Sequence, residues 1–158
     1  GYLFFKKIDA QRFVEMSNKT NQFNANYLRL NSAKLKKYQK DENLNLITFS
    51  VSDKYSNSGI IAAIMLEKRN SFFQINELLI SCRALGRNLE YLFISQIIKR
   101  FSIKDLRICY RKTERNEPFI KFVEKIKLKK ENKNYLIDIN IINKIVSKYE
   151  KFIKIKIN

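Results

Sequence analysis

The sequence of 158 residues contains no histidine and no tryptophan, and only one proline, three glycines and two cysteines. The lack of histidine excludes Ser-His-Asp and Cys-His catalysis, most zinc sites and histidine acid–base chemistry. Any catalysis therefore has to use carboxylates, Tyr, Ser, Thr, Cys or ordered water, and we expect no metal site. Two cysteines, Cys82 and Cys109, are too few for a disulfide framework, which favours a reducing, cytoplasmic location.

Long apolar runs are also missing. No stretch reaches the roughly 18 apolar residues of a membrane span, and no signal-peptide pattern opens the chain, so we expect no membrane association. The content of 45% hydrophobic and 13% aromatic residues is that of a folded globular chain. No repeat, low-complexity tract or linker divides it, and residues 1–158 are interpreted as one domain.

Acidic residues are scarce relative to basic ones, 15 against 32, which gives a formal net charge of +17. Such a charge attracts anionic partners: nucleic acid, an acidic protein, an acidic membrane surface or a nucleotide-bearing cofactor. The alternative is a lysine-rich composition whose charges are simply solvated. Because the basic residues are dispersed and no base-stacking motif accompanies them, nucleic-acid binding is kept as a minor alternative.

Apolar periodicity gives an alternating order of elements. Strands are predicted over residues 2–8, 44–51, 60–66, 72–81, 105–110, 135–139 and 152–157, the last as an edge strand. Helices are predicted over residues 9–17, 32–40, 89–101, 119–126 and 142–149, with Asp9 and Ser32 capping the first two. This order is typical of a GNAT-type acyltransferase, an α/β (α+β) fold with a central mixed, mostly antiparallel sheet flanked by helices.

The junction from residue 81 to residue 88 joins an apolar strand to an amphipathic helix through a loop with Arg and Gly. Backbone N–H groups at such a helix start favour a phosphate. Arg83, Gly86 and Asn88 resemble the Arg/Gln-x-x-Gly-x-Gly/Ala signature of GNAT proteins, which implies CoA, acyl-CoA or carrier-bound phosphopantetheine. The residues implied to bind it are Leu79, Ile80, Ser81, Arg83, Ala84, Leu85, Gly86, Arg87 and Asn88. The backbone of residues 78–80 would pair with the pantetheine amides. The alternative is a plain strand-to-helix turn in which Asn88 caps the helix.

Three stretches, residues 18–24, 81–87 and 110–118, resemble in order and spacing the C-terminal domain of FkbH-like proteins. The resemblance covers about residues 3–128, and residues 140–158 form a tail that diverges from the family. It implies a domain that helps to load an acyl or glyceryl unit, from a phosphorylated three-carbon precursor, onto an acidic acyl carrier protein in polyketide or saccharide biosynthesis. A haloacid-dehalogenase-like domain usually accompanies it, but this chain has no Asp-x-Asp-x-Thr motif.

The same stretches supply candidate substrate-binding residues, because they concentrate hydrogen-bonding groups in the loop between the first two helices and after the fifth predicted strand. These candidates are Asn18, Lys19, Asn21, Gln22, Asn24, Thr113 and Asn116. The alternative is an Asn-rich loop whose side chains bond its own backbone.

Three residues are candidates for catalysis. Glu77 would be a general base if burial raises its pKa; otherwise it is a solvent-facing glutamate. Cys82, beside Arg83, would accept an acyl group; otherwise it is a small buried side chain. Tyr110 could replace the tyrosine acid that many GNAT enzymes carry where this chain has Val123. Two functions therefore stay open: an acyltransferase-like domain, or a non-catalytic module that docks a carrier protein.

Overall fold

A computed structural model of the chain describes residues 2–7, 10–52, 57–149, 151 and 154–157; residues 2–7, 57–58 and 154–157 are described by their backbone only. Its strands are β1 Tyr2–Lys7, β2 Phe23–Asn24, β3 Leu44–Ser52, β4 Asn57–Lys68, β5 Phe73–Ile80, β6 Leu106–Ile108, β7 Lys129–Glu131, β8 Asn134–Ile137 and β9 Lys154–Ile157. They form one mixed sheet in the order β7-β8-β6-β5-β4-β3-β1-β9, with the short β2 paired to β5. Within the described residues, only β5–β6 and β1–β9 pair in parallel. The predicted mostly antiparallel mixed sheet is thus confirmed.

Helices cover both faces of the sheet. They are α1 Ala10–Lys19, α2 Ser32–Gln39, α3 Leu89–Arg100, α4 Glu117–Ile126 and α5 Ile139–Val146. The helices α1 and α2 pack on one face, whereas α3, α4 and α5 pack on the other. The central strand β4 contributes to both cores: Ile64 faces α3, and Met65 faces α1. This two-sided burial explains why residues 60–66 are continuously apolar. In the described part of the chain, no helix is long and apolar enough to cross a bilayer.

The polar caps of two helices differ from the prediction. The N-cap of α2 is Asn31 and not Ser32, because Asn31 Oδ1 accepts a hydrogen bond from Lys34 N at 2.8 Å. Helix α5 begins at Ile139 because Asp138 accepts bonds from the next turn. The predicted cap Asp9 lies outside the described residues. Strands β2 and β7 were not predicted.

The parallel pair β5–β6 is short, and its divergence creates the feature that positions the site. Phe73 to Ile75 pair with Leu106 to Ile108, and the last bond of the pair is Cys109 N to Ile75 O at 2.9 Å. Beyond this point the two strands separate. A β-bulge leaves Asn76 without a partner on β4, since Met65 pairs with Glu77 and Leu66 pairs with Ile75. The carboxyl ends of β5 and β6 therefore flank a cleft.

Candidate functional site

The cleft between β5 and β6 is filled by residues 23–28, which we call the inserted segment. Its strand β2 pairs with β5, with Phe23 opposite Ile80 and Asn24 opposite Leu79. Ala25 then bridges the cleft, because its N–H donates to Leu78 O at 3.1 Å and its carbonyl accepts from Arg111 N at 3.0 Å. The chain itself thus completes the sheet where the two parallel strands separate.

Glu77 anchors the inserted segment through hydrogen bonds from its backbone. Its side chain is fully buried, and its two oxygens accept hydrogen bonds from Asn26 N at 2.8 Å and Leu28 N at 2.9 Å. Burial raises the pKa of Glu77 to about 7, while the backbone hydrogen bonds oppose this rise. The Glu77 carboxyl is thus buried, and the solvent-facing alternative is wrong. A role as general base stays a prediction, and it requires that the inserted segment move away from the carboxylate.

Two residues in the loop between β2 and α2 have left-handed backbone conformations, which are uncommon for residues other than glycine. Their φ angles are 53° at Tyr27 and 46° at Arg29. Hydrogen bonds hold both: Asn24 Oδ1 accepts from Tyr27 N at 2.8 Å, and the Arg29 guanidinium donates to Ser17 O and Asn21 Oδ1, both at 2.6 Å. The loop conformation is therefore fixed by several independent contacts.

The predicted substrate residues Asn24 and Asn116 lie inside this network. Both are fully buried. Asn116 Nδ2 donates to Asn24 O at 3.1 Å and Arg111 O at 2.8 Å, and its Oδ1 accepts from Thr113 N at 2.8 Å. Asn18 Nδ2 likewise donates to backbone carbonyls. The alternative of an Asn-rich loop that bonds its own backbone thus describes Asn18 and Asn24, and binding of substrate by these residues stays a prediction.

Four of the predicted residues, Lys19, Asn21, Gln22 and Cys82, meet at an open depression of about 500 Å³. Cys82 is exposed there, and its sulfur lies 3.8 Å from Gln22 Oε1. The alternative of a buried Cys82 is therefore wrong. The lining comes from all three stretches that were singled out in the sequence: Lys19, Asn21, Gln22, Cys82, Glu114 and Arg115.

The loop after β5 has the predicted glycine in a left-handed conformation, with φ of 78° at Gly86. The backbone N–H groups of Ala84 and Leu85 are already bonded to Ser81 O and Cys82 O. Asn88 occupies the N-cap position of α3, as the alternative of a plain turn expected, but its side chain makes no cap bond and instead donates to Tyr149 Oη at 3.4 Å. No atom lies within 4 Å of a Cβ placed on Gly86, so a phosphate can approach the loop from this side.

A pantetheine arm does not fit beside β5 in the described conformation. Leu79 and Ile80 pair with β4 on one side and with β2 on the other, and Leu78 O accepts from Ala25 N. The predicted pairing of residues 78–80 with pantetheine amides would require displacement of the inserted segment. Binding of a cofactor by the loop residues stays a prediction.

Tyr110 lies away from the Cys82 depression, on the face covered by α3 and α4. Its ring packs 4.4 Å from the ring of Tyr135 and 5.6 Å from that of Phe119, measured between centroids. Burial and the neighbouring Tyr135 raise the pKa of Tyr110. Val123 is buried in α4. The structure therefore does not bring Tyr110 together with Cys82 or Glu77 in one open site.

A second depression of about 500 Å³ adjoins the first and shares Glu114 and Arg115 with it. The ring of Tyr27 forms its floor, with the guanidinium carbons of Arg29 and Arg111 at 5.1 and 5.5 Å from the ring centroid. Sequence reasoning did not single out these three residues, although each lies within or close to one of the stretches. Among the described residues, no three Cys, Asp or Glu side chains cluster as a metal site would require.

No known family profile and no curated protein sequence matches the chain. Solved structures do match. A domain from Methanocaldococcus jannaschii has a TM-score of 0.62 at 14% identity, covering 85% of this chain and 96% of that one. FdhC, a nucleotide-linked sugar GNAT, matches with a TM-score of 0.60 at 10% identity, covering 95% of this chain and 94% of that one. Aminoglycoside acetyltransferase AAC(6')-Ib in complex with coenzyme A matches with a TM-score of 0.59 at 10% identity, covering 90% of this chain and 98% of that one. The chain therefore has the GNAT acyltransferase fold, as the order of its elements predicted.

Proposed function

We propose that this chain is an acyltransferase-like domain that passes an acyl or glyceryl unit to the phosphopantetheine thiol of an acidic acyl carrier protein, with Cys82 as transient acyl acceptor. The observation that supports this most directly is the convergence of three separated stretches around the exposed Cys82 thiol. The resemblance to FkbH-like proteins supports the substrate class and a haloacid-dehalogenase-like partner domain. A free thiol suits the reducing cytoplasm expected from the cysteine content.

The proposed step is a pair of acyl exchanges. The Cys82 sulfur attacks the carbonyl carbon of a donor thioester or acyl phosphate; a C–S bond forms, and the thiol or phosphate leaves with the thiol proton. The carrier thiol then attacks the new thioester, which restores Cys82 as the free thiol. No oxidant or reductant is needed. The polar side chains of Gln22 and Lys19 line the same depression and would orient the acyl oxygen.

In this route the pantetheine arm does not pair with the backbone of residues 78–80 in β5. Because the inserted segment pairs with that edge, the donor and the carrier arm would reach Cys82 from the open side of the depression. Phosphates of CoA or of the carrier arm would contact the loop at Gly86 and Arg87, which are both exposed.

Acyl capture by Cys82 can be tested with intact-protein mass spectrometry after incubation with acetyl phosphate or acetyl-CoA. We expect a hydroxylamine-sensitive acyl adduct that disappears in Cys82→Ala and persists in Cys109→Ala, which is a matched control because Cys109 is the other free cysteine. Addition of holo-carrier protein should discharge the adduct, and apo-carrier should not. An adduct that survives in Cys82→Ala, or no adduct with either donor, would overturn the proposal.

A second candidate function is a carrier-docking module without turnover. It is favoured by the inserted segment on the β5 edge, by the sequestered carboxylate of Glu77 and by Val123 in α4. This function predicts binding of holo-carrier that weakens as salt is raised, because the net charge of +17 would attract an acidic partner. Isothermal titration at two salt concentrations, beside the acylation assay, separates the two functions: binding without any acyl adduct favours the docking module.

A further inference from the structure

The depression over Tyr27, which we call the arginine pocket, contains an excess of positive charge that the described structure does not balance. It is lined by Tyr27, Arg29, Arg111, Lys112, Thr113, Glu114 and Arg115, which places four cations against one carboxylate. Among the described residues, none of these four cations belongs to an ion pair.

The fold places two guanidinium groups near the ring of Tyr27. Arg29 is fixed by its bonds to Ser17 O and Asn21 Oδ1. Arg111 follows β6, and its backbone N–H is bonded to Ala25 O. Both guanidinium carbons lie within 6 Å of the Tyr27 ring centroid. Two like charges on one ring repel each other, and an anion placed between them would remove that repulsion.

The pocket floor is rigid, which favours a bound group of defined geometry. Thr113 Oγ1 donates to Tyr27 Oη at 3.0 Å, and Tyr27 Oη donates to Asn21 O at 2.5 Å. Thr113 is fixed in turn by Asn116, which is fully buried. Arginine forks on a rigid support match the oxygens of a tetrahedral phosphate better than dispersed lysines do.

We propose that the arginine pocket is a binding site for a phosphate group, with Arg111, Lys112 and Arg115 as its exposed ligands and Arg29 as a fixed neighbouring charge. The site adjoins the Cys82 depression, with which it shares Arg115. It is distinct from the loop at Gly86. The proposal deepens the proposed function, because a phosphate held here would place the remainder of a donor or a carrier arm toward Cys82.

The test is isothermal titration of the full chain with inorganic phosphate, for wild type and for the double variant Arg111→Gln/Lys112→Gln. We expect the affinity of the double variant to fall about tenfold. The matched control is Lys129→Gln/Lys130→Gln, which removes the same charge from exposed positions on β7 and should leave the affinity within about twofold. Thermal unfolding of each variant verifies that it is folded.

Equal losses in the two double variants would show that phosphate binds through the overall positive charge of the chain and would overturn the site. An unchanged affinity in Arg111→Gln/Lys112→Gln would overturn it as well.

The source of the phosphate is identified by two further titrations, with holo-carrier against apo-carrier and with acetyl phosphate. A difference between holo- and apo-carrier that Arg111→Gln/Lys112→Gln abolishes assigns the site to the carrier arm. Loss of acetyl phosphate binding alone assigns it to a small phosphorylated donor. Inorganic phosphate is also titrated into Cys82→Ala. Phosphate binding that survives in this variant shows that the arginine pocket binds phosphate independently of acyl transfer by Cys82.

Discussion

Glu77 is a buried carboxyl group whose hydrogen bonds go to the backbone of a distant loop. Its partners, the N–H groups of Asn26 and Leu28, lie 51 and 49 residues away in the sequence. Burial disfavours the charged form, and the backbone N–H donors do not fully compensate, so the pKa of Glu77 rises to about 7. The carboxylate thus serves first to position the inserted segment.

The raised pKa gives a signed pH dependence. Between the ordinary pKa of 4.5 and the folded-state pKa of about 7, the folded chain binds more protons at Glu77 than the unfolded chain does. The contribution of Glu77 to the free energy of unfolding is therefore full below pH 4.5 and is lost as the pH rises to about 7, by at most ~1.4 kcal/mol per pH unit. Glu77→Gln lacks this dependence. Urea unfolding from pH 5 to pH 8 should show the stability of wild type falling relative to the variant; a constant difference across this range would contradict the assignment.

Asn116 connects three parts of the chain through one buried amide. Asn116→Ala leaves Asn24 O and Arg111 O without a donor and Thr113 N without an acceptor. We expect a loss of about 2–4 kcal/mol in the free energy of unfolding, since the buried Asn24 O left unpaired costs roughly 1–3 kcal/mol and the two partly buried groups add less. Chemical denaturation measures it. The control is Asn143→Ala on the exposed side of α5, where a change within about 0.5 kcal/mol is expected. Equal effects of the two substitutions would refute the network.

At the scale of elements, the sequence predicts best where one periodic pattern decides the structure. The stripe of α3 and the two-sided burial of β4 both follow from local apolar spacing. Strand β2 could not be predicted in this way, because two residues have no period. The residues that hold the inserted segment are distant: Glu77 and Asn116 lie 51 and 92 residues from the atoms that they hold. The family resemblance drew attention to the three stretches, but it did not predict that they converge, and the arginine pocket depends on the positive φ angles of Tyr27 and Arg29.

Phe23 fastens the inserted segment to the core on the α4 side. Its ring meets the rings of Phe119 and Phe122 at centroid distances of 5.3 and 5.5 Å. Phe23→Ala should cost about 3–5 kcal/mol. It should also speed amide hydrogen exchange at Ala25 and Arg111, whose N–H groups bridge the cleft. Mass-spectrometric exchange measures both positions.

The matched control is Phe72→Ala, at a partly buried ring that stacks under Arg107, 4.1 Å from its guanidinium carbon. We expect a smaller loss of stability and unchanged exchange at Ala25. If Phe23→Ala left exchange at Ala25 slow, the segment would be held by its backbone bonds alone. If its release also strengthened CoA binding relative to wild type, the inserted segment would be a barrier to the pantetheine arm.

At the scale of the whole molecule, the C-terminal elements join opposite edges of the sheet. Helix α5 packs on α3 through the buried Ile142 and Val146, and β9 then pairs in parallel with β1 at the edge far from β8. The predicted edge strand is thus confirmed by the backbone of Lys154–Ile157. The C-terminal elements thus extend the sheet and cover one of its helices.

The net charge of +17 acts on the folded molecule as a whole. Like charges repel more strongly in the compact state than in the unfolded chain, and salt screens this repulsion. The described ion pairs lie mostly in exposed positions, so their screening costs little. We therefore expect the Tm to rise by roughly 2–4 °C when NaCl is raised from ~20 mM to ~300 mM, which corresponds to about 1 kcal/mol. The variants Lys133→Gln and Lys133→Glu, at an exposed position before β8, should reduce this rise in that order. A Tm that falls with salt, or a rise that is equal in all three proteins, would mean that self-repulsion does not limit the stability of this chain.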